Sequence, residues 1–273
     1  MKKFDGILIC TDLDGTLLRN DKTISKENHE AIEYFKAEGG RFTFITGRMP
    51  YFCEDTWQMV QPNAPFGCIN GGGLFDHDTG KYIWTQTLSP SVMDLVEYVE
   101  RNIPGIGVQV NTFEKIYFHN DNPAMEGFRK ATKVPHIVRH YRDVDEPVAK
   151  IVFCDVTEEK LLRTQVLLDA HPRADEFDFI RSEFYLYEIL PKGISKGVVL
   201  PKLAQHLGID MKKTVAIGDY DNDLSMIRAA GMGIAVANAV DAVKAAADHI
   251  TVSNEEHAIA KIISDIESGA LKL

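Results

Sequence analysis

Apolar residues along this chain follow two rhythms, and the rhythm changes twice. Ile7-Leu8-Ile9-Cys10 is a short unbroken apolar run, the pattern of a strand buried on both faces. A helical stretch follows at about Lys26 to Glu38, and Gly39-Gly40 stops it. Phe42-Thr43-Phe44-Ile45 reads as a second strand. Phe66-Gly67-Cys68-Ile69 reads as a third, running into Asn70-Gly71-Gly72-Gly73. Strand, helix and strand in this order predict parallel pairing through helical crossovers.

The pattern then shortens. Leu74-Phe75 and Tyr82-Ile83-Trp84 flank a turn at Asp78-Thr79-Gly80, which predicts a hairpin. Ser89 or Pro90 opens a helix with Val92, Leu95, Val96 and Val99 at helical spacing. Val108 to Val110 and Ile116 to Phe118 form a second hairpin around Glu114-Lys115. Val148 to Val156 is a long strand, and Thr157 caps a helix running to about Ala170. Phe177 to Ile180 and Phe184 to Leu190 pair through a turn at Ser182-Glu183. Hairpins with few helices predict an α+β module rich in antiparallel pairing.

After Pro191-Lys192-Gly193 the alternating rhythm returns. A helix from Lys196 to Leu207 stops at Gly208. Thr214 to Ile217 is a strand, Asn222 to Ala230 a helix, and Gly233 to Val236 a strand. A short helix near Asp241 to Ala247, a strand from His249 to Val252 and a helix from Glu255 to Glu267 complete the series. The fold class is therefore α/β: a parallel-sheet core of residues 1–84 and 191–273, interrupted by an inserted α+β domain of residues 85–190. There are no repeats and no low-complexity segments.

Composition narrows the function. The 273 residues are 45% hydrophobic and 26% charged, ordinary for a globular chain. The formal charge of -10 argues against a nucleic-acid partner and against a polybasic membrane anchor. Any phosphate site in such a field needs local cations. The four cysteines, Cys10, Cys53, Cys68 and Cys154, form no CxxC pair and no zinc spacing; they read as small buried hydrophobes in a reducing compartment. The run Ile7 to Cys10 is too short for a signal peptide, and no window approaches the roughly 20 apolar residues of a membrane span. The expected location is cytoplasmic.

The chemistry-bearing residues lie at strand ends. Asp12-Leu13-Asp14-Gly15-Thr16 follows the first strand directly, where open α/β sheets bind their ligands. Residues two apart in an extended segment share a face, so Asp12 and Asp14 project together. Two adjacent carboxylates repel unless a cation sits between them, and magnesium suits oxygen ligands that ride with phosphates. A DxD alone is equally a polar turn capping a helix. Ile217-Gly218-Asp219-Tyr220-Asp221-Asn222-Asp223 repeats the theme after another short strand, with Asp223 one helical turn beyond Asp219. A cap by Asn222 explains one such cluster but not two. Thr46-Gly47-Arg48 after the second strand supplies a hydroxyl, a backbone N–H and a guanidinium. Lys196 brings an ammonium to a helix start. Asn70 is a weaker candidate, and the glycines after it read as a flexible turn.

Asp12-Leu13-Asp14-Gly15-Thr16, Thr46, Lys196 and Gly218-Asp219 through Asn222-Asp223 together resemble the four ordered motifs of the haloacid dehalogenase superfamily. The insertion resembles the large cap of its Cof-type hydrolase branch. Ile45-Thr46-Gly47-Arg48, Ile69-Asn70-Gly71-Gly72 and Val236-Ala237-Asn238-Ala239 resemble that branch as well. The resemblance covers the whole chain and implies a Rossmann-like core, a closing cap with hinges near Thr85 and Pro191 to Gly193, and a magnesium-dependent phosphatase. It implies that Asp12 attacks phosphorus to form an aspartyl-phosphate and that Asp14 acts as general acid and base. Asp12, Asp219 and the Asp14 carbonyl would hold Mg2+, with Asp223 acting through water; Thr46, Gly47, Arg48, Lys196 and Asn222 would bind the phosphoryl group. Glu256-His257-Ala258 departs from the pattern, because relatives usually carry Asp-Gly before a small apolar residue.

Two other activities fit the same motifs: a phosphosugar mutase, and a non-catalytic phosphometabolite sensor. No GxGxxG follows the first strand and no GxxxxGK[ST] occurs, which disfavours dinucleotide-binding and P-loop enzymes. The inserted domain carries Arg129, Lys130, Lys133, His136, Arg139, His140 and Arg142, read as a solvated face in preference to a site for a second anionic group. The expected partner is a small phosphorylated metabolite, with neither nucleic acid nor membrane, and the expected state is monomeric.

Overall fold

The computed structural model of the chain describes residues 2–273, apart from the side chain of Glu183. It divides into two compact units, one of Met1–Thr85 with Ser195–Leu273 and the other of Gln86–Ile194. In chain order the first unit begins with β1 (Leu8–Thr11), α1 (Lys26–Ala37), β2 (Arg41–Phe44), α2 (Glu54–Val60), β3 (Phe66–Cys68), β4 (Gly73–Asp76) and β5 (Lys81–Thr85). The second unit holds α3 (Val92–Asn102), β6 (Gly107–Thr112), β7 (Ile116–His119), α4 (Pro123–Thr132), β8 (Ile137–Val138), β9 (Val148–Cys154), α5 (Glu158–Asp169), β10 (Phe177–Glu183) and β11 (Leu186–Pro191). The chain then returns through α6 (Lys196–Leu207), β12 (Thr214–Gly218), α7 (Leu224–Ala229), β13 (Met232–Ala235), α8 (Asp241–Ala246), β14 (His249–Ile250) and α9 (Ala258–Ser268).

The first unit is a Rossmann-like core. Its five-stranded sheet has the order β14-β13-β12-β1-β2, and all its pairs are parallel. Every residue of β1 and β12 is buried, as the unbroken apolar runs require. Leu8, Cys10 and Ala216 pack with Val199, Leu200 and Leu203 of α6 and Met226 of α7. α1 is started by Ser25, whose hydroxyl accepts from Asn28 N at 3.2 Å; it buries Ile32 and Phe35 and ends before Gly39 at φ +94°.

The third strand departs from the expected parallel sheet. β3 pairs antiparallel with β4 in a separate three-stranded sheet β3-β4-β5, and meets the parallel sheet through one bridge, Ile45 with Gly67. The triple glycine is also more than a flexible turn. Gly71 sits at φ +96°, and a Cβ there would stand 2.0 Å from the Ser195 carbonyl oxygen at the start of α6.

The second unit is built on a six-stranded sheet, β10-β11-β9-β6-β7-β8, antiparallel except at β7 and β8. One face carries Val108, Val110, Ile151, Phe153, Tyr187 and Ile189 into a core with Leu95, Val96 and Val99 of α3 and Leu161 and Leu168 of α5. Details differ from the sequence reading. β10 continues through Glu183, so the turn falls at Phe184-Tyr185 rather than Ser182-Glu183. β9 stops at Cys154. Thr157 precedes α5 but makes no side-chain cap bond; its hydroxyl donates to Asp155 Oδ1 at 2.7 Å instead. α9 begins at Ala258, after a turn of 3-10 helix over Asn254–Glu256. α2 and α4 escaped the sequence reading, although Asn122-Pro123 was a usable start signal: Asn122 Oδ1 accepts from Met125 N at 3.0 Å. All four cysteines are buried and free. No helix among the described residues is long and apolar enough to cross a membrane.

Candidate active site

The candidate residues gather where neighbouring parallel strands end. Thr11, the last residue of β1, is in register with Ile217 of β12, and Asp12 N still donates to the Ile217 carbonyl at 2.8 Å. Asp12 and Asp219 therefore leave adjacent strands at the carboxyl edge of the sheet, where no further strand satisfies the chain and side chains are free to meet a ligand. On the other side of β1, Ile45 N donates to Thr11 O at 2.9 Å, which brings Thr46 to the same edge.

Lys196 joins the two acid clusters. Its side chain is wholly buried, and its ammonium donates to Asp12 Oδ1 and Asp223 Oδ1, each at 2.6 Å. The other oxygen of Asp223 accepts from the backbone N–H groups of Asp219 at 2.9 Å and Tyr220 at 3.1 Å. Asp219 Oδ1 accepts from the Thr16 hydroxyl at 2.5 Å. Asp12, Asp219 and Asp223 each offer a carboxylate oxygen, and these oxygens lie within 4.8 Å of one another.

The Asp14 carboxylate is engaged separately from the other acids. It is not one of the three clustered carboxylates. Arg48 grips it with two nitrogens, Nε to Oδ2 at 3.0 Å and Nη2 to Oδ1 at 2.8 Å, and Lys22 Nζ adds a contact at 2.8 Å. Arg48 is thus engaged by a carboxylate here. Its own backbone N–H donates to the Thr46 hydroxyl at 3.2 Å. A Cβ on Gly47 would come within 2.9 Å of Asn70 Oδ1, and Asn222 Nδ2 donates to that same oxygen at 3.1 Å. Asn70 thereby ties the Thr46 loop to the Asp219 loop.

The electrostatics report an excess of negative charge. Burial pushes the Asp12 carboxyl well above the ordinary range; Lys196 opposes that, and Asp223 and Asp219 add to it. Asp219 is pushed up to about 6, by burial and by Asp223. Burial alone would lower the Lys196 ammonium, but Asp12 and Asp223 outweigh it and hold it above its usual value. Asp14 goes the other way: burial raises it, and Arg48 and Lys22 more than reverse that, keeping the carboxyl below its usual range. Two buried carboxylates and a half-buried third against one ammonium form a hard, all-oxygen donor set able to hold a divalent cation.

Two residues of this neighbourhood had no role in the sequence reading. Thr16 lies inside the first motif, and its hydroxyl reaches a residue of the last. Lys22 meets Asp14 only because the intervening loop turns back at Lys22 itself, at φ +65°. No local pattern signals that return. The basic stretch of the second unit is largely internally neutralised: Arg129 pairs with Asp121, Lys130 with Glu126, Arg139 with Asp145, and Arg142 with Asp94 and Glu97.

A parallel α/β sheet with two acid clusters and a buried lysine at its carboxyl edge defines a hydrolase of the acid-cluster kind, and comparison with known proteins gives the family. The sequence model of the haloacid dehalogenase-like hydrolases matches residues 9–263. The chain is 28% identical over 263 residues to the 5-amino-6-(5-phospho-D-ribitylamino)uracil phosphatase YitU of Bacillus subtilis, covering 94% of this chain and 96% of that one. It is 31% identical over 288 residues to the phosphatase of the same description, YwtE, from the same organism, covering 96% and 98%. A haloacid dehalogenase-like hydrolase from Bacteroides thetaiotaomicron superposes with a TM-score of 0.83 at 28% identity, over 95% of this chain and 99% of that one. The chain belongs to the haloacid dehalogenase-like hydrolase family, in its Cof-type branch. It is a phosphatase.

Proposed function

We propose that the protein is a Mg2+-dependent phosphatase of small phosphorylated metabolites that works through an aspartyl-phosphate on Asp12. The observation that carries this reading is the Lys196 ammonium at 2.6 Å from Asp12 within a three-carboxylate cluster. Lys196 opposes the burial that raises the Asp12 carboxyl, favouring its ionised form, and leaves its second oxygen for attack on phosphorus. The P–O bond to the leaving group breaks as the Asp12–phosphorus bond forms. Asp14 supplies the proton to the leaving oxygen and then takes one from the water that hydrolyses the intermediate. For that, the Arg48 grip on Asp14 must loosen when substrate arrives, and a phosphate oxygen is a fitting competitor for the guanidinium.

Asp12 and Asp219 with the Asp14 carbonyl would hold Mg2+, and Asp223, with both oxygens engaged, would act through water. The ion supplies charge neutralisation for the carboxylates and the phosphoryl oxygens. Thr46, Gly47, Lys196 and Asn222 offer donors to the equatorial oxygens, where charge is spread in the transition state. The inserted unit serves as the cap. The test is phosphate release from a panel of phosphorylated metabolites, with Mg2+ and with EDTA, beside Asp12→Asn. Mg2+-dependent release that disappears in the variant is expected; undiminished release by Asp12→Asn would sink the covalent route.

A further inference from the structure

Both acid clusters lie beyond strand ends, and residues 236–240, directly after β13, tie the two together. The backbone of this segment holds the second cluster: Val236 N donates to Gly218 O at 3.3 Å, and Val240 N to Asp219 O at 2.9 Å. Its one side-chain amide holds the first. Asn238 Nδ2 donates to Gly15 O at 2.7 Å, and Asn238 Oδ1 accepts from Asn254 N at 3.0 Å. Asn254 is buried, and its own Nδ2 donates to Leu18 O at 3.0 Å. The loop of the first motif is thus pinned at residues 15 and 18 by two asparagines that are bonded to each other.

Gly15 needs such a pin. It sits at φ +82° and has no Cβ, so sterics leave the direction of its carbonyl loosely set. The next residue, Thr16, carries the hydroxyl that donates to Asp219 Oδ1 at 2.5 Å. The peptide joining Gly15 to Thr16 is one rigid plane, so holding the Gly15 carbonyl also fixes where the Thr16 side chain starts. Only a planar amide offers a donor to Gly15 and an acceptor to Asn254 from one short side chain. Asn238 is exposed, so its bonds compete with water and add little to stability. We infer that Asn238 is a positioning residue for the cation site. It holds the Gly15–Thr16 peptide, the Thr16 hydroxyl then holds Asp219 Oδ1, and the other oxygen of Asp219 is left to face the ion. Asn238 itself bonds neither ion nor substrate. This deepens the Mg2+ reading above and rests on it.

The experiment compares the wild type, Asn238→Ala, Thr16→Val and the double variant. Tm is measured in EDTA and across a series of Mg2+ concentrations, from which the Mg2+ Kd follows by linkage. The Mg2+ concentration for half-maximal phosphate release is measured beside it. Asn238→Ala should weaken Mg2+ binding about three- to tenfold, up to the worth of one hydrogen bond. Its Tm in EDTA should fall by no more than about 4 °C. Thr16→Val should weaken Mg2+ binding as well, and adding Asn238→Ala to it should weaken binding no further, because the one acts through the other. Two effects that multiply in full overturn the route through Thr16. A Tm drop in Asn238→Ala that is the same in EDTA and in Mg2+ marks a purely structural role and overturns the inference. Asn238 is exposed, so Asn238→Ala decides the matter alone where the buried Thr16→Val does not fold. Equal Mg2+ Kd values in the wild type and Asn238→Ala remove this inference only; a wild-type Tm that Mg2+ does not raise removes the Mg2+ reading with it.

Discussion

Gly15 and Asp219 come so close that a Cβ on Gly15 would stand 2.5 Å from Asp219 Oδ2. Gly15 also sits at φ +82°, a conformation that costs other residues about 1–2 kcal/mol. The glycine of the first motif is thus the space in which the last motif's carboxylate stands. Gly15→Ala is expected to displace Asp219, cut turnover at least about 100-fold, as misplacing a reacting group does, and weaken the response to Mg2+ while the circular-dichroism spectrum stays native. Wild-type Mg2+ titration in that variant would separate Gly15 from the ion site.

Lys196 is the sole counter-ion bonded to both Asp12 and Asp223 among the described residues. Lys196→Met removes it and leaves two buried carboxylates facing each other. The expected loss is about 3–5 kcal/mol of stability, the usual cost of stranding a buried charge, together with turnover. Urea denaturation measures the first. A double variant, Lys196→Met with Asp223→Asn, should recover part of the stability and none of the activity.

The raised carboxyl of Asp219 sets a pH dependence with a definite sign. Its folded value of about 6 exceeds the ordinary carboxylate value, so without a divalent ion the folded state binds the extra proton more tightly. That contribution is complete below the ordinary carboxylate range and is lost as pH rises through about 6. In EDTA the Tm should therefore fall between pH 5 and pH 7. Mg2+ competes with the proton, so the Tm rise on adding Mg2+ should be larger at pH 7 than at pH 5. Equal rises at both pH values would count against Asp219 as a ligand.

His257, in the segment where the sequence departs from the Cof-type pattern, has a left-handed backbone, at φ 63° and ψ 47°. The departure noted in the sequence falls at a position whose conformation glycine adopts freely. The loop around it is held elsewhere: Ser253 Oγ donates to Glu256 Oε2 at 2.6 Å, and Asn254 Nδ2 to Leu18 O at 3.0 Å. His257→Gly should raise stability by about 1 kcal/mol, seen as a Tm increase of a few degrees. A decrease would mean that the 3.4 Å contact of His257 Nδ1 with Glu27 matters more than the backbone.

Much of the core was legible in the chain. Strands buried on both faces must be apolar throughout, so Leu8–Thr11 and Thr214–Gly218 announce themselves, and an acid directly after each is placed at a sheet edge by the strand that precedes it. Gly39 and Gly208 mark helix ends because they alone turn cheaply to positive φ. The inserted unit was harder. Its hairpins share one sheet, and turn positions there shift by a residue or two without changing which face is apolar, as at Phe184-Tyr185.

What the sequence by itself determined was most of the elements, though not α2 and α4, the parallel character of the core strands other than β3, and the identity of the acids, the lysine and the threonine at strand and helix ends. These follow from local periodicity and from residue chemistry. Only the tertiary structure decided the partners. Spacing places Asp14 on one face with Asp12, but only the fold shows that Arg48 and Lys22 hold its carboxylate. Lys196 binds carboxylates 184 and 27 residues distant. Such pairings carry no local signal, because they arise where strands far apart in the chain end side by side, and desolvation there forces each buried charge onto whatever opposite charge the fold has brought within reach.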